Sequence, residues 1–123
     1  MTPNDITYQI IGAALNIHKT VGPGLLESTY EAALAYDLRL LGFNVKTQHP
    51  LPFIYKEIRM EVGYRIDLLV NNVVLVEIKS VENLAPVHHS QTLTYLRLSG
   101  KELGLLINFN TAKLVDGIHR FKI

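Results

Sequence analysis

With 123 residues, 48% of them apolar, the chain has the length of one domain and enough material for a continuous buried core, and a second domain would have no room. Its formal net charge of +1 lacks the strongly basic balance that would by itself mark a nucleic-acid binder, though a local basic patch can coexist with a near-neutral total. The absence of cysteine excludes disulfides and thiolate metal sites, leaving carboxylates and five histidines as the strong candidate ligands. Oxygen donors favour a hard cation such as Mg2+ or Mn2+. Residues 1–10 carry no basic cluster followed by an apolar block, and no apolar stretch approaches the roughly 20 residues that span a bilayer, so the expected setting is the cytoplasm, with no membrane partner.

Thr2 or Asn4 can cap a first helix, in which Ile6, Ile10, Ala13, Ala14, Ile17 and Val21 recur at helical spacing and Gly22 suits the C-terminal end. After the Gly22-Pro23-Gly24 break a second helix is predicted from about Leu25 to Leu41, with Leu26, Tyr30, Ala33, Leu34 and Leu41 facing inward and Gly42 as its stop. The period then changes. Phe43–Gln48, Phe53–Lys56 and Arg59–Val70 read as strands, divided by His49-Pro50 and by a turn near Lys56-Glu57. Asn71-Asn72 marks a tight turn, because asparagine tolerates positive φ. Val73–Val76 is apolar at every position, the pattern of a central strand covered on both faces. Pro86 opens a third helix ending near Ser99-Gly100, Gly104–Phe109 is another buried strand, and Gly117–Ile123 is a short final one. The expected architecture is a three-layer α/β sandwich with a mixed central sheet flanked by helices, in the order α-α-β-β-β-β-α-β-β.

Glu77 and Lys79 are two apart on a strand and leave the same face, while Ile78 points the other way. On the preceding strand the alternation groups Ile66, Leu68 and Val70 with Val74, Val76 and Ile78, and sets Arg65, Asp67 and Leu69 on the other face. A plain two-residue loop at Asn71-Asn72 would put Asp67 and Glu77 on opposite faces. With residues 71–73 as the loop, or a bulge, Asp67 lies across from Glu77 and Arg65 across from Lys79, close enough for two carboxylates to hold one cation. A divalent cation so held can neutralise a phosphodiester and make a water nucleophilic, and Lys79 can orient that water and steady developing charge. An ion-pair cluster at the end of a sheet explains the same spacing without chemistry. The apolar run into Glu77 speaks for function, since charges emerging from a central strand are costly without work or partners.

Gly24-Leu25-Leu26-Glu27-Ser28-Thr29-Tyr30 resembles the signature of the GxxExxY proteins, placed in the PD-(D/E)XK nuclease superfamily near the RecB-like and lambda-exonuclease-like branch. The resemblance continues through Gly63–Leu69, Val76–Lys79, Pro86-Val87-His88 with Gln91 and Tyr95, and Gly104–Phe109, and so covers nearly the whole chain. It implies Asp67, Glu77 and the backbone carbonyl of Ile78 as metal ligands, Lys79 as the catalytic lysine, and Glu27 as the helix-borne acid completing or supporting the metal site. Gln91 and Tyr95 match a Gln-x-x-x-Tyr motif that contacts nucleic acid or braces the site. His18 is the one candidate for the histidine that many RecB-like enzymes place before the aspartate.

Several of these residues have simpler readings. Glu27 lies in a first helical turn, where a negative charge suits the dipole. Tyr30 shares its face and reads as structural support. Gln91, Tyr95 and His88 form one polar helical stripe. Arg65 could bind phosphate, or pair with Asp67 or Glu77. Adjacent His88 and His89 diverge by about 100° on a helix and lack a second pair at ligand spacing, which argues against zinc. The functional expectation is a Mg2+- or Mn2+-dependent phosphodiesterase acting on nucleic acid, DNA in the first place, with a homodimer as one way for so small a domain to grip a duplex. The alternatives from other classes are a non-catalytic nucleic-acid or protein-binding module on the same fold, and a metal-dependent hydrolase of a small phosphoester or nucleotide.

Overall fold

The computed structural model describes all residues from 1 to 123. Helix α1 (Pro3–Val21) begins with a reciprocal cap: Thr2 Oγ1 accepts from the Asp5 N–H, and the Asp5 carboxylate accepts from the Thr2 N–H. It ends at Gly22, whose φ of 74° needs a residue without a side chain. Helix α2 (Glu27–Leu40) buries Tyr30, Leu34, Ala35 and Leu38. Leu26 and Leu41, expected to face inward, are instead 73% and 57% exposed, because they fall just beyond the two ends of the helix and escape its inward stripe. Val21, the last residue of α1, is likewise exposed.

The strands are β1 (Val45–Pro50), β2 (Phe53–Tyr55), β3 (Ile58–Met60), β4 (Arg65–Val70) and β5 (Val74–Lys79), followed by α3 (Pro86–Ser99), β6 (Leu103–Asn108) and β7 (Ile118–Lys122). The main sheet runs β1-β4-β5-β6-β7, with β5 and β6 parallel across the α3 crossover and every other pair antiparallel. Helices α1 and α2 share a core with the face carrying Leu68, Val70, Val74, Val76, Leu105 and Ile107. Helix α3 packs on the other face through Tyr95 and Leu96 against Ile66, Leu69 and Leu75. The three-layer sandwich with a mixed sheet is therefore what the chain builds, and both central strands are buried throughout apart from the half-buried Lys79. No helix is long and apolar enough to cross a membrane.

Three expectations about the strands are corrected. Arg59–Val70 is not one strand: β3 folds back on β2 across Lys56 (φ 55°), the chain turns at Gly63 (φ 87°), and only then does β4 join the main sheet. Alternation alone does not reveal where a chain changes partner. His49-Pro50 is the end of β1, paired with Ile66 and Arg65, and proline is tolerated there because β1 is an edge strand. A short 3-10 turn, Leu114–Gly117, precedes β7 and was not expected.

The turn between β4 and β5 follows the three-residue reading. Asn71 and Asn72 take positive φ (52° and 57°), Val73 N–H donates to the Val70 carbonyl at 3.0 Å, and pairing resumes as Val70↔Val74, Leu69↔Leu75 and Leu68↔Val76. The Asn71 side chain accepts from the Asn44 N–H at 2.8 Å and fixes this turn to the start of β1.

Gly117 sits against the end of β6, where a Cβ would stand 2.3 Å from the Asn108 carbonyl oxygen. Gly117→Ala is accordingly expected to force a backbone shift and lower unfolding stability by about 1–3 kcal/mol, measured by urea denaturation; an unchanged midpoint would contradict this close approach.

Candidate active site

The pairing of β4 with β5 stops at Leu68↔Val76, although β5 stays paired with β6 as far as Lys79↔Asn108. Beyond that point the two strands part, and side chains take over the hydrogen bonds that the ladder would have made. Asp67 Oδ2 accepts from the Ile78 N–H at 2.8 Å, and Glu77 Oε1 accepts from the Asp67 N–H at 3.2 Å. The two carboxylates are thus neighbours in the fork, as the loop of residues 71–73 requires, but not as a directly opposed ladder pair. Nor does β4 keep a single alternation: Ile66 packs on the α3 side and Leu68 on the α1/α2 side, so the pattern slips at Asp67. Arg65, expected across from Lys79, pairs with Pro50 of β1 and is exposed.

Asp67 opens into a cleft of about 370 Å³ lined by Glu27, Ser28, Glu31, Gln48, Asp67 and Ile78. The cleft brings the start of α2 to the ends of β1, β4 and β5. Glu27 is docked there through its Oε2, which accepts from the Ser80 N–H at 3.1 Å, while Ser80 Oγ donates to the Leu25 carbonyl at 2.6 Å. The turn before α2 is held by Tyr30, whose hydroxyl donates to the Gly22 carbonyl at 2.6 Å and accepts from the Leu25 N–H at 3.1 Å. Its ring is fully buried and stacks on Phe109 with centroids 4.3 Å apart. Tyr30 therefore occupies a supporting position, with no open face toward the cleft. A larger hollow of about 620 Å³ between α1 and α2 contains one acid, Asp37, and none of these groups.

Besides Glu31 on α2, which lines the cleft, three residues of this neighbourhood escaped the sequence reading. Gln48 (φ 48°) faces Asp67 from β1, and its amide donates to both Asp67 Oδ1, at 3.1 Å, and Glu31. Asn108, 2% exposed at the end of β6, binds Val81 through both its side-chain atoms and so fixes the segment leaving β5. The third is Ser80. Only a paired register could have revealed Gln48, since nothing in its local sequence separates it from any polar residue near a strand end.

Lys79 is half-buried and lies outside the cleft lining but near enough for its charge to act on Asp67 and Glu77, and the one ion pair in the structure within 4.0 Å is the exposed Arg59–Glu61 contact. Tyr95 and Gln91 meet on α3, the Gln91 amide donating to the Tyr95 hydroxyl at 2.9 Å. His88 does not face the cleft as a ligand: its Nδ1 accepts from the Ala85 N–H at 3.0 Å and caps α3. His18 is bonded through Nε2 to the Thr111 carbonyl at 2.8 Å and touches none of the acids by hydrogen bond.

The electrostatics of the fork are those of crowded, desolvated acids. Burial first, then the Asp67 charge, pushes the Glu77 carboxyl up to about 9. Burial also raises Asp67 and Glu31 above their ordinary range, against the hydrogen bonds they accept. The convergence of Asp67, Glu77 and Glu27 on one cation that the sequence led us to expect is not formed: no three acids or imidazoles are gathered closely enough to hold a metal ion, and the carboxylates of Asp67, Glu77 and Glu27 turn to backbone N–H groups instead. The donor set nevertheless fits a hard divalent cation: it holds carboxylates and backbone carbonyls with no sulfur, and its excess of negative charge is what such an ion relieves.

A raised carboxyl makes the folded state the better proton binder, so stability is greatest below the unfolded value and falls as pH rises toward the folded one. In chelator, wild type is expected to lose stability between pH 5 and the Glu77 value of about 9, by at most about 1.4 kcal/mol per pH unit. Glu77→Gln should flatten that slope; parallel stability curves for the two proteins in urea titrations would show that Glu77 does not titrate as described.

A model of the PD-(D/E)XK nuclease superfamily matches residues 4–121. Comparison with the curated proteins and with solved structures gives no match. Members of the superfamily typically hydrolyse phosphodiester bonds of nucleic acid and generally use divalent metal ions. With the match running from α1 to β7 and embracing the forked strands, their acids and Lys79, the chain belongs to the PD-(D/E)XK nuclease superfamily.

Proposed function

We propose that the chain is a Mg2+-dependent deoxyribonuclease, with Mn2+ able to replace Mg2+, whose centre is the β4–β5 fork. The observation that carries this reading is the exchange of hydrogen bonds between Asp67 and the Glu77-Ile78 segment, at the mouth of a cleft into which Glu27 is docked. Asp67, Glu77 and the Ile78 carbonyl would hold the cation, and Glu27 would complete or support the set. The bound ion supplies charge neutralisation at the phosphate and a lowered pKa for a coordinated water.

The chain's own groups do the rest. Lys79, unpaired and half-buried near the acids, orients the attacking water and steadies negative charge as it develops on the phosphate. Gln48 holds Asp67 and Glu31 in place from β1, and Ser80 does the same for Glu27, so each acid reaches the cleft in one orientation. Tyr95 and Gln91 brace the α3 side of the fork. The signature Gly24-Leu25-Leu26-Glu27-Ser28-Thr29-Tyr30 gains a physical role in this reading, since it contains the docked acid, the Leu25 backbone that binds Ser80, and the buried tyrosine that fixes both. That role supports placing the chain with the GxxExxY proteins.

The test is incubation with labelled DNA and RNA in Mg2+, Mn2+ or chelator. Cleavage is expected with either metal and not with chelator, and Lys79→Ala and Asp67→Asn should each reduce the rate by about 10²- to 10⁴-fold. Activity that survives in chelator or in both variants would end this proposal. At pH 7 the metal and the Glu77 proton compete for one carboxylate, so Mg2+ binding should also release protons, seen as a dependence of calorimetric heat on buffer ionisation enthalpy.

A further inference from the structure

Between β1 and β4 the chain departs from the main sheet to make the β2–β3 hairpin, which forms a two-stranded sheet of its own. Its composition is unusual for a solvent-facing arm: Ile54, Tyr55 and Ile58 are 57%, 53% and 58% exposed, and Val62 and Tyr64, in the segment leading to β4, are 51% and 45% exposed. Large apolar side chains held in water on a small hairpin give it no stability of its own, which points to a partner. Between the hairpin and α3 lies a mostly apolar groove of about 400 Å³, lined chiefly by Phe53, Tyr64, Val87, Gln91, Tyr95 and Leu98. That volume is within the range that seats small planar ligands.

Three observations say what the groove receives. First, its walls are aromatic: Tyr64 and Tyr95 have ring centroids 6.0 Å apart, and Phe53 continues the row toward Tyr55 at 6.3 Å. Second, the groove lies near the acid fork on its α3 side, although it shares no lining residue with the cleft beside α2. Tyr64 stands three residues before Asp67, a distance of about 10 Å along an extended strand, which a few nucleotides can bridge. Tyr95 forms the groove's inner wall, and its hydroxyl is raised by burial and further by the Glu77 and Asp67 charges, which sets it close to both acids. Third, cations lie in the segments flanking the groove, with Glu57 the one unpaired acid among them. Arg59 is engaged with Glu61, Lys56 lies over the Tyr55 ring at 5.4 Å, and Arg65 is exposed beside Tyr64 with no ion pair. Aromatic faces for bases next to cations for phosphates make a surface that tolerates any sequence and demands unpaired bases.

We propose that this groove is a stacking seat for unpaired bases, so that the strand delivered to the acid fork is single-stranded nucleic acid. The inference deepens the nuclease reading and rests on it for the identity of the strand's destination. A base of an intact duplex presents its edge, not its face, and cannot lie on the exposed ring of Tyr64, which packs against Tyr95 on its other side, without leaving its stack. The seat therefore selects single strands by the cost of unstacking that a duplex would bear.

The experiment uses the full chain in chelator, where the probe stays intact, and follows the anisotropy of a fluorescein-labelled oligothymidylate of about 12 nucleotides. Wild type is expected to bind it more tightly than a duplex of equal length. Tyr64→Ala should weaken that binding by roughly 5- to 150-fold, Tyr64→Phe should preserve it, and an oligomer with abasic sites in place of its bases should bind wild type as weakly as the variant binds the intact strand. Tyr64 is exposed, so the variant's thermal unfolding should match wild type and separate lost stacking from lost folding. Equal affinity for single strand and duplex, indifference to Tyr64→Ala, or a change in self-association with no change in oligonucleotide binding would overturn the seat. If Asp67- and Lys79-dependent cleavage persists under those outcomes, the nuclease reading stands without it; Tyr64-dependent binding with no metal-dependent cleavage would do the reverse.

Discussion

The two hydrogen bonds that tie Asp67 to the Glu77-Ile78 segment are the constraint on which the site depends. A β-ladder satisfies its backbone groups strand by strand, and a strand that leaves the ladder within a buried sheet must find other partners for them. Here β4 leaves β5 after Leu68, and the freed N–H groups of Asp67 and Ile78 are taken by the carboxylates of Glu77 and Asp67. The fork thus has its two acids built into its main-chain bonding. Removing either carboxylate disturbs the strands as well as the chemistry.

That arrangement carries an electrostatic cost which the surrounding groups only partly offset. Glu77 is 4% exposed on a central strand, and the nearby Asp67 charge adds to the penalty of burial. The compensating contacts are polar and precise in aim: Gln48 on Asp67 and Glu31, Ser80 on Glu27, and Lys79 acting at longer range. A structure that spends stability to hold acids together is expected where a cation or a proton completes the balance. The scaffolding around it is rigid, with Tyr30 stacked on Phe109 and bonded to both sides of the Gly22–Leu25 turn, so that the first acid of α2 meets the strand ends at a fixed place.

Local signals in the chain went a long way toward this picture. The uninterrupted apolar run in β5 and the two asparagines before it require an extra loop residue if two acids are to meet, and the pairing Val70↔Val74 has that loop, although the alternation read along β4 breaks at Asp67. Pro86 opens α3, Thr2 caps α1, and β6 is buried at every position, all as spacing and residue type imply. The errors have a common form. Leu26 and Leu41 were assigned by period to a helix that ends one residue short of each, and Arg59–Val70 hides a change of partner at Gly63. A repeating pattern describes the interior of an element and is weakest at its ends.

By itself, the sequence determined the layers, the sheet's central strands and the candidate acids, because burial period and turn chemistry act over a few neighbouring residues. Only the tertiary structure decided that Gln48, Ser80 and Asn108 belong around those acids, that His18 and His88 are spent on backbone contacts, and that the β2–β3 hairpin stands apart with Phe53 on the groove beside α3. These are contacts between residues tens of positions apart. Their existence depends on where strands part and pair in space, and no local propensity carries that information.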